Sequence, residues 1–495
     1  MYHIAPTALP VNLRQLTAKL LHQNAGASIY LVGGAVRDIL LKRSTKDFDL
    51  VATGIAGPKL ERWLKRHGQV VLVGKTFGVY KFIPQHWSLE EIDIALPRLD
   101  HSLKSGRYRD VKITTSSKLK IEDDLIRRDF TINALALNLD NFELIDVVGS
   151  QNDLTKKLIR TVGSPRLRFR EDFSRLLRGL RFALQLNFKF ESKTWSATKS
   201  LATKAVTAKL NNSWLIPREI IAREFLKSLT AQPMDAVKLW DKAGLIARLL
   251  PEVNAMKGVP QAKIWHSEGD VFKHSVMALN AFTSNQWQKF FPRQLPKLSV
   301  LLGILLHDIG KPLTLQTPTT HKVKHIATPE HDTKGAQLVP KIIARLKLTS
   351  YVAPDGDKID ADMVEWLVAK HLLLVHGQVA NFKPSTLYKY FYQKADWGLA
   401  LQQVIFADSW ATRPADGHRL FDRLLALRKR LKNLQPLLSN KGDLKLLLNG
   451  NEVMKLLKLK PGPEVGKILK ILTEAQLTKQ ITTKAEAKKL LQRLL

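Results

Sequence analysis

Two neighbouring stretches carry the strongest structural signal in the chain: Ile29-Tyr30-Leu31-Val32-Gly33-Gly34-Ala35-Val36-Arg37-Asp38 and Lys46-Asp47-Phe48-Asp49-Leu50. They predict an apolar strand, a glycine turn, a short helix beginning near Val36, and a second strand that carries two acids. Side chains two positions apart on a strand leave the same face, about 7 Å apart, so Asp47 and Asp49 can converge on one point. Such a pair favours a hard cation such as Mg²⁺, and Gly33 and Gly34 allow close backbone approach to a triphosphate. Phosphoryl or nucleotidyl transfer is the chemistry that this combination favours, although a plain turn and a solvated Asp-x-Asp are each common.

Length and charge limit the class of protein. A chain of 495 residues exceeds what one hydrophobic core usually supports, so we expect two or more domains. The 78 Lys and Arg residues outnumber 44 Asp and Glu residues, a formal net charge of +34, which points to a polyanion such as nucleic acid. A generally basic proteome is the alternative explanation of this charge.

The absence of cysteine limits the chemistry of the chain and leaves the redox compartment open. The absence of cysteine excludes disulfides, thiolate chemistry and cysteine-type zinc sites. The first six residues lack the basic and apolar regions of a signal peptide, and the most apolar run, 298–306, is shorter than the roughly 20 residues that span a bilayer. We therefore expect a soluble cytoplasmic protein.

Hydrophobic periodicity changes near Asn152. Before it, β-branched and aromatic runs at 70–73, 78–83 and 91–95 predict an α/β head on a small mixed sheet, and beyond it helical periodicity dominates. Asp93 has the strand parity of a third carboxylate in the same cleft, and an Asp that bonds a neighbouring backbone or arginine is the alternative. Residues 98–120 are basic and lack periodicity, which indicates a flexible loop.

Paired arginines occur in the segment 122–134, after an acidic helix start. Adjacent helical side chains point about 100° apart, so we expect one of the two to face a phosphate, with Arg128 preferred and Arg127 as the alternative. An ordinary surface arginine pair is the competing interpretation.

The segment 170–182 predicts one amphipathic helix, on which Asp172, Arg175 and Arg178 step by three along one face. Cytosine and adenine both present an amino donor beside a ring-nitrogen acceptor, whereas uracil and guanine present the reverse pattern. A carboxylate at Asp172 and a guanidinium at Arg175 can therefore select C and A over U and G. An ordinary i,i+3 surface ion pair is the competing interpretation.

A second group of chemically capable residues lies between 265 and 414. His266, Asp270 and His274 follow one helical pattern, and Leu305-Leu306-His307-Asp308-Ile309-Gly310-Lys311 follows. Histidine beside carboxylate, with more of each on later helices, is typical of a divalent-metal phosphohydrolase. Packed core histidines are the alternative.

Three blocks carry a resemblance to one family. Gly-Gly-x-Val-Arg-Asp with Asp-x-Asp, Arg-Arg-Asp-Phe-Thr-Ile-Asn-Ala at 127–134, and Glu-Asp-x-x-Arg-x-x-Arg at 171–178 resemble the class II tRNA nucleotidyltransferases, the CCA-adding enzymes of the polymerase β superfamily. The resemblance implies addition of CMP, CMP and AMP to the tRNA 3′ end from CTP and ATP, without a nucleic-acid template. It also implies residue roles: Mg²⁺ on Asp47 and Asp49; nucleotide binding by Gly33, Gly34, Arg37, Arg128, Asp129, Asn133 and Arg178; and base selection by Asp172 and Arg175.

The His-Asp-x-Gly-Lys string resembles the HD phosphohydrolase superfamily. That resemblance implies His274, His307, Asp308 and Asp408 as ligands of a divalent transition metal such as Ni, Mn or Co. His331 and His371 would lie near a second metal. Some tRNA nucleotidyltransferases carry such a domain with phosphatase and 2′,3′-cyclic phosphodiesterase activities, and an inactive structural HD domain is the alternative.

The expected organisation is an α/β nucleotidyltransferase head followed by all-α parts. We expect a catalytic head (1–150), a base-selecting neck (151–215), body helices (216–262), an HD phosphohydrolase-like domain (263–415) and a helical, tRNA-binding tail (416–495). In the family, a mobile loop at the position of 98–120 is associated with the switch from C to A addition. The resemblance leaves residues 1–27 without an assigned role.

Partners and alternatives follow from the same resemblance. We expect tRNA, contacted at its acceptor arm and 3′ end, together with CTP and ATP, and a monomer or homodimer. One alternative is a poly(A) polymerase or a partial CC- or A-adding enzyme. The stretch Gly74-Lys75-Thr76-Phe77-Gly78 disfavours poly(A) polymerase, because an arginine-rich string is expected there in that enzyme. Another alternative is an HD phosphohydrolase whose head only binds RNA.

Overall fold

The computed structural model describes residues 4–45, 47–73, 78–85, 91–103, 105–108, 110–376, 379–415, 417, 421–438 and 444–493. The chain forms two compact units, Met1–Leu249 and Leu250–Leu495. Lys46, Lys104, Arg109 and residues 74–77, on which parts of the sequence predictions rest, lie outside the described residues.

The first unit begins with an α/β head. Its strands are β1 Ser28–Val32, β2 Asp49–Thr53, β3 Gly68–Val73, β4 Val79–Pro84, β5 Ile92–Ala95, β6 Arg98–Ser102, β7 Val111–Thr115, β8 Ala136–Asn138 and β9 Leu144–Ile145. Its helices are α1 Val11–Gln23, α2 Gly34–Leu40, α3 Gly57–His67, α4 Ile121–Ile126 and α5 Ser150–Lys156. Seven strands form one mixed sheet in the order β3-β4-β5-β2-β1-β8-β9, which confirms the predicted fold class.

The sheet places the first predicted strand at its centre. β1 pairs antiparallel with β2 and with β8, and β2 runs parallel to β5. Ile29 and Leu31 alternate into the core, where they are almost fully buried, as a strand covered on one face requires. Helix α1 buries Leu13 and Leu20, so the described part of the unassigned N-terminal segment supports the head.

Two predictions about the head were wrong. Asp47 precedes β2, which begins at Asp49, so the two acids do not share one strand. The segment 98–120, expected to be an irregular loop, contains the hairpin β6–β7, in which Arg98 pairs with Thr115. The Phe173 N–H donates to the Gly106 carbonyl at 3.1 Å, so the residues that connect β6 and β7 contact the segment that precedes α7.

The rest of the first unit is mainly helical, as predicted. Its helices are α6 Pro165–Glu171, α7 Ser174–Leu186, α8 Ser192–Thr207, α9 Arg218–Ala231, α10 Pro233–Lys242 and α11 Ile246–Leu249. Its short strands are β10 Leu158–Ile159, β11 Lys189–Phe190, β12 Lys209–Leu210 and β13 Ser213–Trp214. Helix α7 packs against α9 and buries the predicted stripe of Leu176, Leu177 and Leu180.

Two predicted helices are interrupted. The helix predicted over 170–182 breaks at Asp172, whose backbone is extended at φ −156° and ψ 105°. Among the body helices, the sequence also predicts one over 236–250 that Pro251 stops. This helix is divided, because α10 ends at Lys242 and α11 begins at Ile246. Gly244, between them, adopts φ +78°, which glycine accepts without strain.

Among the described residues of the second unit, helices joined by loops are the main regular elements, with isolated β-bridges such as Gln316–Ala327 between them. Its helices are α12 Pro251–Ala255, α13 Val271–Ala278, α14 Asn285–Phe290, α15 Leu298–Leu306, α16 Lys311–Thr314, α17 Pro318–His321, α18 His331–Ala336, α19 Val339–Leu346, α20 Ala361–Lys370, α21 Leu373–His376, α22 Pro384–Phe391, α23 Ala395–Ala411, α24 Phe421–Leu434, α25 Gly450–Leu457, α26 Pro463–Leu477 and α27 Lys484–Gln492. All nine residues of α15 are buried, and α13, α20 and α23 pack around it. His266 and Asp270 do not share a helix with His274, because α13 begins after Asp270, whose carboxylate accepts from the Lys273 N–H.

The last three helices enclose a core of their own. Leu448, Val453, Val465, Leu472 and Leu491 belong to that core. The prediction of a helical tail is thus confirmed in the secondary structure of the described residues, and the segment 458–462 separates α25 from α26. None of the helices described here has the length and apolarity needed to cross a membrane.

Candidate active site and metal centre

A cleft of about 870 Å³ lies in the first unit, between the head sheet and the helices that follow it. Its wall includes Asp47, Asp49 and Asp93 from the head and Asp172, Arg175 and Arg178 from the segment at the start of α7. Residues more than 120 positions apart in the sequence therefore face the same space, which is the arrangement the sequence predicts for base selection beside the carboxylates.

The head carboxylates are placed by strand pairing. Asp49 and Asp93 are direct neighbours on the parallel strands β2 and β5, and Lys81 Nζ lies 3.6 Å from Asp93 Oδ1. Asp49 is open to the cleft, yet the surrounding protein dehydrates it enough to raise its pKa to about 6, with Asp93 and Asp47 adding to the effect and Arg128 opposing it. A divalent cation would relieve this crowding of negative charge, so the oxygen donors fit Mg²⁺, which usually takes one or two carboxylates together with substrate phosphates.

Gly33 makes a close approach that a side chain would prevent. Its φ is +71°, and a Cβ at this position would lie 2.7 Å from Arg128 Nη1. Gly34 is the first residue of α2 and also lines the cleft. The glycine pair thus allows a guanidinium to lie directly against the turn.

One buried acid holds both arginines of the predicted pair. Asp124 accepts from Arg127 Nη2 at 2.5 Å and from Arg128 Nη2 at 3.0 Å. Both arginines line the cleft, and the expectation that Arg128 rather than Arg127 faces a phosphate stays a prediction. Burial opposes the charge of Asp124, but Arg128 and Arg127 lower its pKa overall. The positioning role of Asp124 was missed, because an acid in a first helical turn is explained by the helix dipole alone.

A chain of hydrogen bonds links three of the predicted nucleotide-binding blocks. Arg37 Nη1 donates to Asn133 Oδ1 at 2.6 Å, and Asn133 Nδ2 donates to Asp129 Oδ1 at 3.5 Å. Arg178 Nε donates to Asp129 Oδ2 at 2.7 Å. Burial alone would raise the pKa of Asp129, yet Arg178 lowers it to about 2, so the carboxylate stays charged. Arg37 Nε and Nη2 donate to the Asp38 carboxylate. These bonds fix the Arg37 side chain in the wall of the cleft.

Asp172 and Arg175 line the cleft but do not pair with each other. The Asp172 carboxylate accepts from the Ser174 N–H at 2.8 Å, as an acid at a helix start does. Arg175 Nη1 instead donates to Glu171 Oε2 at 2.5 Å. Burial is the main cause of the raised pKa of Asp172. Each member of the predicted base-selecting pair is thus held by a different neighbour and remains available to a third group.

A second ionic group on α7 and α9 extends the cleft. Arg181 Nε lies 2.6 Å from Glu224 Oε2, and Arg223 Nη2 lies 3.0 Å from Glu224 Oε1. The Arg181 guanidinium also lies over the Phe182 ring at 4.1 Å. Together with Lys227 these residues line the cleft, and the sequence argument missed all of them. The helical spacing of these charged residues on two amphipathic helices is the sequence signal that could have predicted them.

The second unit contains a buried cluster of histidines and acids. His274 Nε2 lies 3.0 Å from Asp408 Oδ1 and 3.3 Å from His307 Nε2, and these three side chains are close enough to share one metal ion. His307 Nδ1 lies 2.7 Å from the Ile304 carbonyl, which requires a proton on Nδ1. In the neutral ring, Nε2 then carries a lone pair that faces other acceptors. A cation bound between these acceptor atoms is the simplest way to satisfy their lone pairs.

A second set adjoins the first through Asp308. His331 Nε2 and His371 Nε2 lie 3.3 and 3.7 Å from Asp308 Oδ1, and neither buried nitrogen has a hydrogen-bond partner among the residues that the structure describes. Both rings donate from Nδ1 to a backbone carbonyl at 2.7 Å, which orients Nε2 toward the acid. Burial lowers the pKa of His371 to about 3, so this ring is neutral, as a metal ligand must be. Nitrogen and carboxylate donors in this arrangement fit a divalent transition metal.

Two further residues support the cluster. Glu268 Oε1 accepts from Nδ1 of both His274 and His266 at 2.7 Å. Lys311, from the His-Asp-x-Gly-Lys string, lies 2.7 Å from Asp308 Oδ2. The orienting role of Glu268 was missed by the sequence argument, which noted only the histidines around it.

The chain is similar in sequence to proteins of known activity. Residues 29–160 match the family model described as the poly A polymerase head domain. The chain is 31% identical over 380 residues to the A-adding tRNA nucleotidyltransferase of Deinococcus radiodurans, covering 75% of this chain and 79% of that protein. It is 32% identical over 366 residues to the multifunctional CCA protein of Acinetobacter baumannii strain SDF, covering 73% of this chain and 77% of that protein.

Solved structures share the fold. The CCA-adding enzyme of Bacillus stearothermophilus, solved in complex with CTP, aligns with a TM-score of 0.63 and 19% identity over 98% of both chains. The Thermotoga maritima CCA-adding enzyme complexed with tRNA-CCA aligns with a TM-score of 0.58 and 19% identity, over 99% of this chain and 96% of that one.

Proposed function

Because the chain belongs to the tRNA nucleotidyltransferase family, we propose that it adds CMP, CMP and AMP to the tRNA 3′ end from CTP and ATP, without a nucleic-acid template. The observation that carries the proposal is the shared cleft. Asp47 and Asp49 face the same space as Asp172 and Arg175, so the reacting phosphate and the incoming base can be held at once.

The carboxylates of Asp47 and Asp49 would hold Mg²⁺ beside the triphosphate. When bound, the cation supplies charge neutralisation and activation of the attacking 3′ hydroxyl. Arg128, fixed by Asp124 against Gly33, donates to triphosphate oxygens, while Arg37 and Arg178 fix Asn133 and Asp129 beside the ribose. These side chains are already oriented by neighbours, which reduces the ordering that nucleotide binding requires.

Base selection would follow from Asp172 and Arg175. The carboxylate accepts from the exocyclic amine of cytosine or adenine, and the guanidinium donates to the adjacent ring nitrogen. Uracil and guanine would leave buried polar groups of the protein unpaired, and discrimination by this route is strong. The Ser174 N–H bonds to the Asp172 carboxylate, and Glu171 bonds to the Arg175 guanidinium. The carboxylate therefore keeps acceptor capacity for a base, and the guanidinium keeps donor capacity.

The names of two relatives describe two different activities within the family. One is named as an A-adding enzyme and another as a multifunctional CCA protein. The cleft favours addition of both C and A, because its two base-selecting groups match the edge common to both bases. The family model of the head is named for poly(A) polymerase, and it covers only residues 29–160. The Gly74–Gly78 stretch that disfavours that activity lies, apart from Gly78, outside the described residues.

The direct test is incubation with tRNA that lacks its 3′ trinucleotide, with each nucleoside triphosphate in turn and then with mixtures, followed by sequencing of the products. We expect two C residues with CTP alone and CCA with CTP and ATP. Addition of A alone, of CC alone with no later A, or of a long A tract would each contradict the proposal.

The second unit supports a second candidate function, hydrolysis of phosphate esters at a metal-dependent HD centre. The observation that favours it is the pair of buried, unpartnered nitrogens on His331 and His371 beside Asp308. His274, His307, Asp308 and Asp408 would hold one divalent metal, and His331 and His371 would complete a second site with Asp308. Phosphatase and 2′,3′-cyclic phosphodiesterase activity would suit repair of tRNA ends. An unchanged hydrolysis rate after metal removal would contradict this assignment.

The proposed division of the chain follows these roles: head 1–150, neck 151–215, body 216–262, HD domain 263–415 and tail 416–495. A role in tRNA binding is proposed for the tail. The carboxylates of Glu452 and Glu486 accept from backbone N–H groups at the starts of α25 and α27, and Glu452 also pairs with Lys484. Lysines and arginines outnumber acids in the tail, so it carries a net positive charge that suits RNA. Whether the protein is a monomer or a homodimer stays a prediction.

A further inference from the structure

The basic end of the cleft has no role in the nucleotide-binding scheme above. Arg181, Arg223 and Lys227 line the cleft from α7 and α9, and Glu224 is the acid that stands among them. Arg181 and Arg223 each occupy one oxygen of that carboxylate. This part of the wall therefore carries three positive charges and one negative charge.

The position of this group separates it from the incoming nucleotide. Arg181 follows Arg175 by six residues on α7, a distance of roughly 9 Å along the helix axis. The triphosphate is assigned to the head turn, the ribose to Asp129 and Asn133, and the base to Asp172 and Arg175. The other reactant that must enter the cleft is the RNA 3′ end, which is itself an anion.

Lys227 is half-buried in the cleft wall, one helical turn after Arg223. Burial, and then the charge of Arg181, lower the pKa of the Lys227 ammonium group. A cation held in a dehydrated and positive environment is stabilised when an anion binds beside it. Arg223 retains about a third of its side-chain exposure, so its guanidinium can reach a ligand while one edge stays on Glu224.

We propose that Arg223 and Lys227 bind a backbone phosphate of the RNA 3′ end and so position its terminal hydroxyl for attack. The inference rests on the proposed function of the cleft, and it adds a subsite for the RNA acceptor. The two residues act as positioning groups. Glu224, the neighbour of Arg223 on α9, accepts from the Arg223 guanidinium and is itself held by Arg181 of α7.

The test measures binding of an acceptor-stem hairpin that lacks the 3′ trinucleotide, without nucleotide, at several salt concentrations. For Lys227→Gln we expect affinity to fall about five- to tenfold and the slope of log K against log salt to shrink by about 0.7, the value for one lost contact to a single strand. The KM for CTP at saturating RNA should stay within about twofold. Lys238→Gln, at an exposed position on α10 outside the cleft lining, removes the same charge and should leave affinity and slope unchanged.

A neutral phosphate provides an independent readout. We prepare a series of hairpins, each with one methylphosphonate linkage at a different position near the 3′ end. At one of these positions the replacement should weaken binding to the wild-type protein. The same replacement should not affect binding to Lys227→Gln, and Lys227→Arg should restore the sensitivity. Arg223→Gln serves as the second variant if Lys227→Gln does not fold. Equal affinity and slope for Lys227→Gln and Lys238→Gln would overturn the proposal, as would a raised KM for CTP with unchanged RNA binding. Failure of CTP incorporation by the wild type would instead count against the proposed function, because the binding measurement needs no catalysis.

Discussion

The cleft of the first unit and the histidine cluster of the second are built on opposite principles. In the cleft, arginines are paired with acids that orient them, and Asp47 and Asp49 stay open to solvent. In the cluster, His274, His307 and Asp308 are almost fully buried, and their ligand atoms already face one another. A substrate that brings its own phosphate oxygens can complete an open site, whereas a resident metal needs its ligands preassembled. The contrast predicts two independent centres that require different metals.

The largest expected effect is a double dissociation. Asp49→Ala removes a ligand for the catalytic cation, a loss of several kcal/mol, so incorporation of CMP should fall about 10³-fold or more while phosphate-ester hydrolysis persists. Asp308→Ala should have the reverse effect. Both activities are measured on the same preparations. Loss of both activities from a well-folded single variant would break the comparison.

The second effect concerns the metal of the histidine cluster. Glu268 orients His274, so Glu268→Gln should weaken transition-metal binding about 10- to 100-fold, as measured by competition with a chelating indicator. CMP incorporation with Mg²⁺ should not change. Glu143→Gln, in an exposed turn before β9, is a matched control that should bind metal like the wild type. Unaltered metal affinity in Glu268→Gln would show that His274 is not a ligand.

A smaller effect is expected from the orientation of Arg175. Glu171→Gln weakens the ion pair that holds the guanidinium, so kcat/KM should fall about tenfold for both CTP and ATP. Hydrolysis by the second unit should be unaffected. A drop for one nucleotide alone would indicate that Arg175 does not act on the edge that the two bases share.

The smallest effect separates backbone strain from nucleotide binding at the glycine turn. Gly26 and Gly33 both have positive φ, but a Cβ meets no atom within 4 Å at Gly26 and meets Arg128 at 2.7 Å at Gly33. Alanine at either position should cost about 1 to 3 kcal/mol of unfolding free energy, seen as a lower Tm. Only Gly33→Ala should also raise the KM for CTP, because it displaces Arg128. Equal kinetics in the two variants would contradict the placement of Arg128.

Sequence patterns predicted the features that depend on local spacing. The glycine turn, the strands beside it and the helical remainder follow from periods of two and 3.6 residues. The hairpin at 98–115 was missed because its first strand, Arg98–Ser102, contains a single apolar residue and so shows no apolar alternation. The break at Asp172 was missed because the surrounding residues all suit a helix, although an Asp two residues before Ser174 is a typical helix start.

Long-range charge pairs were beyond the sequence argument for a different reason. Glu224 meets Arg181 only because α9 packs on α7, and the sequence offers many acids and arginines at helical spacing. The sequence shows Asp124 as an acid near two arginines. Its role in orienting both depends on its burial, which only the structure shows. The clustering of histidines was predicted from one motif, whereas the contact of Glu268 with His266 and His274 required the fold.

The claim that one protein edge selects amino-bearing bases is tested most directly by CTP and its analogue that lacks the 4-amino group. The wild type should prefer CTP over the analogue by about 10²-fold or more in kcat/KM, because the analogue has no amine to donate to the half-buried Asp172 carboxylate, which then keeps only its bond from the Ser174 N–H. Asp172→Ala should use both poorly and about equally. An unchanged preference for CTP in Asp172→Ala would contradict the account.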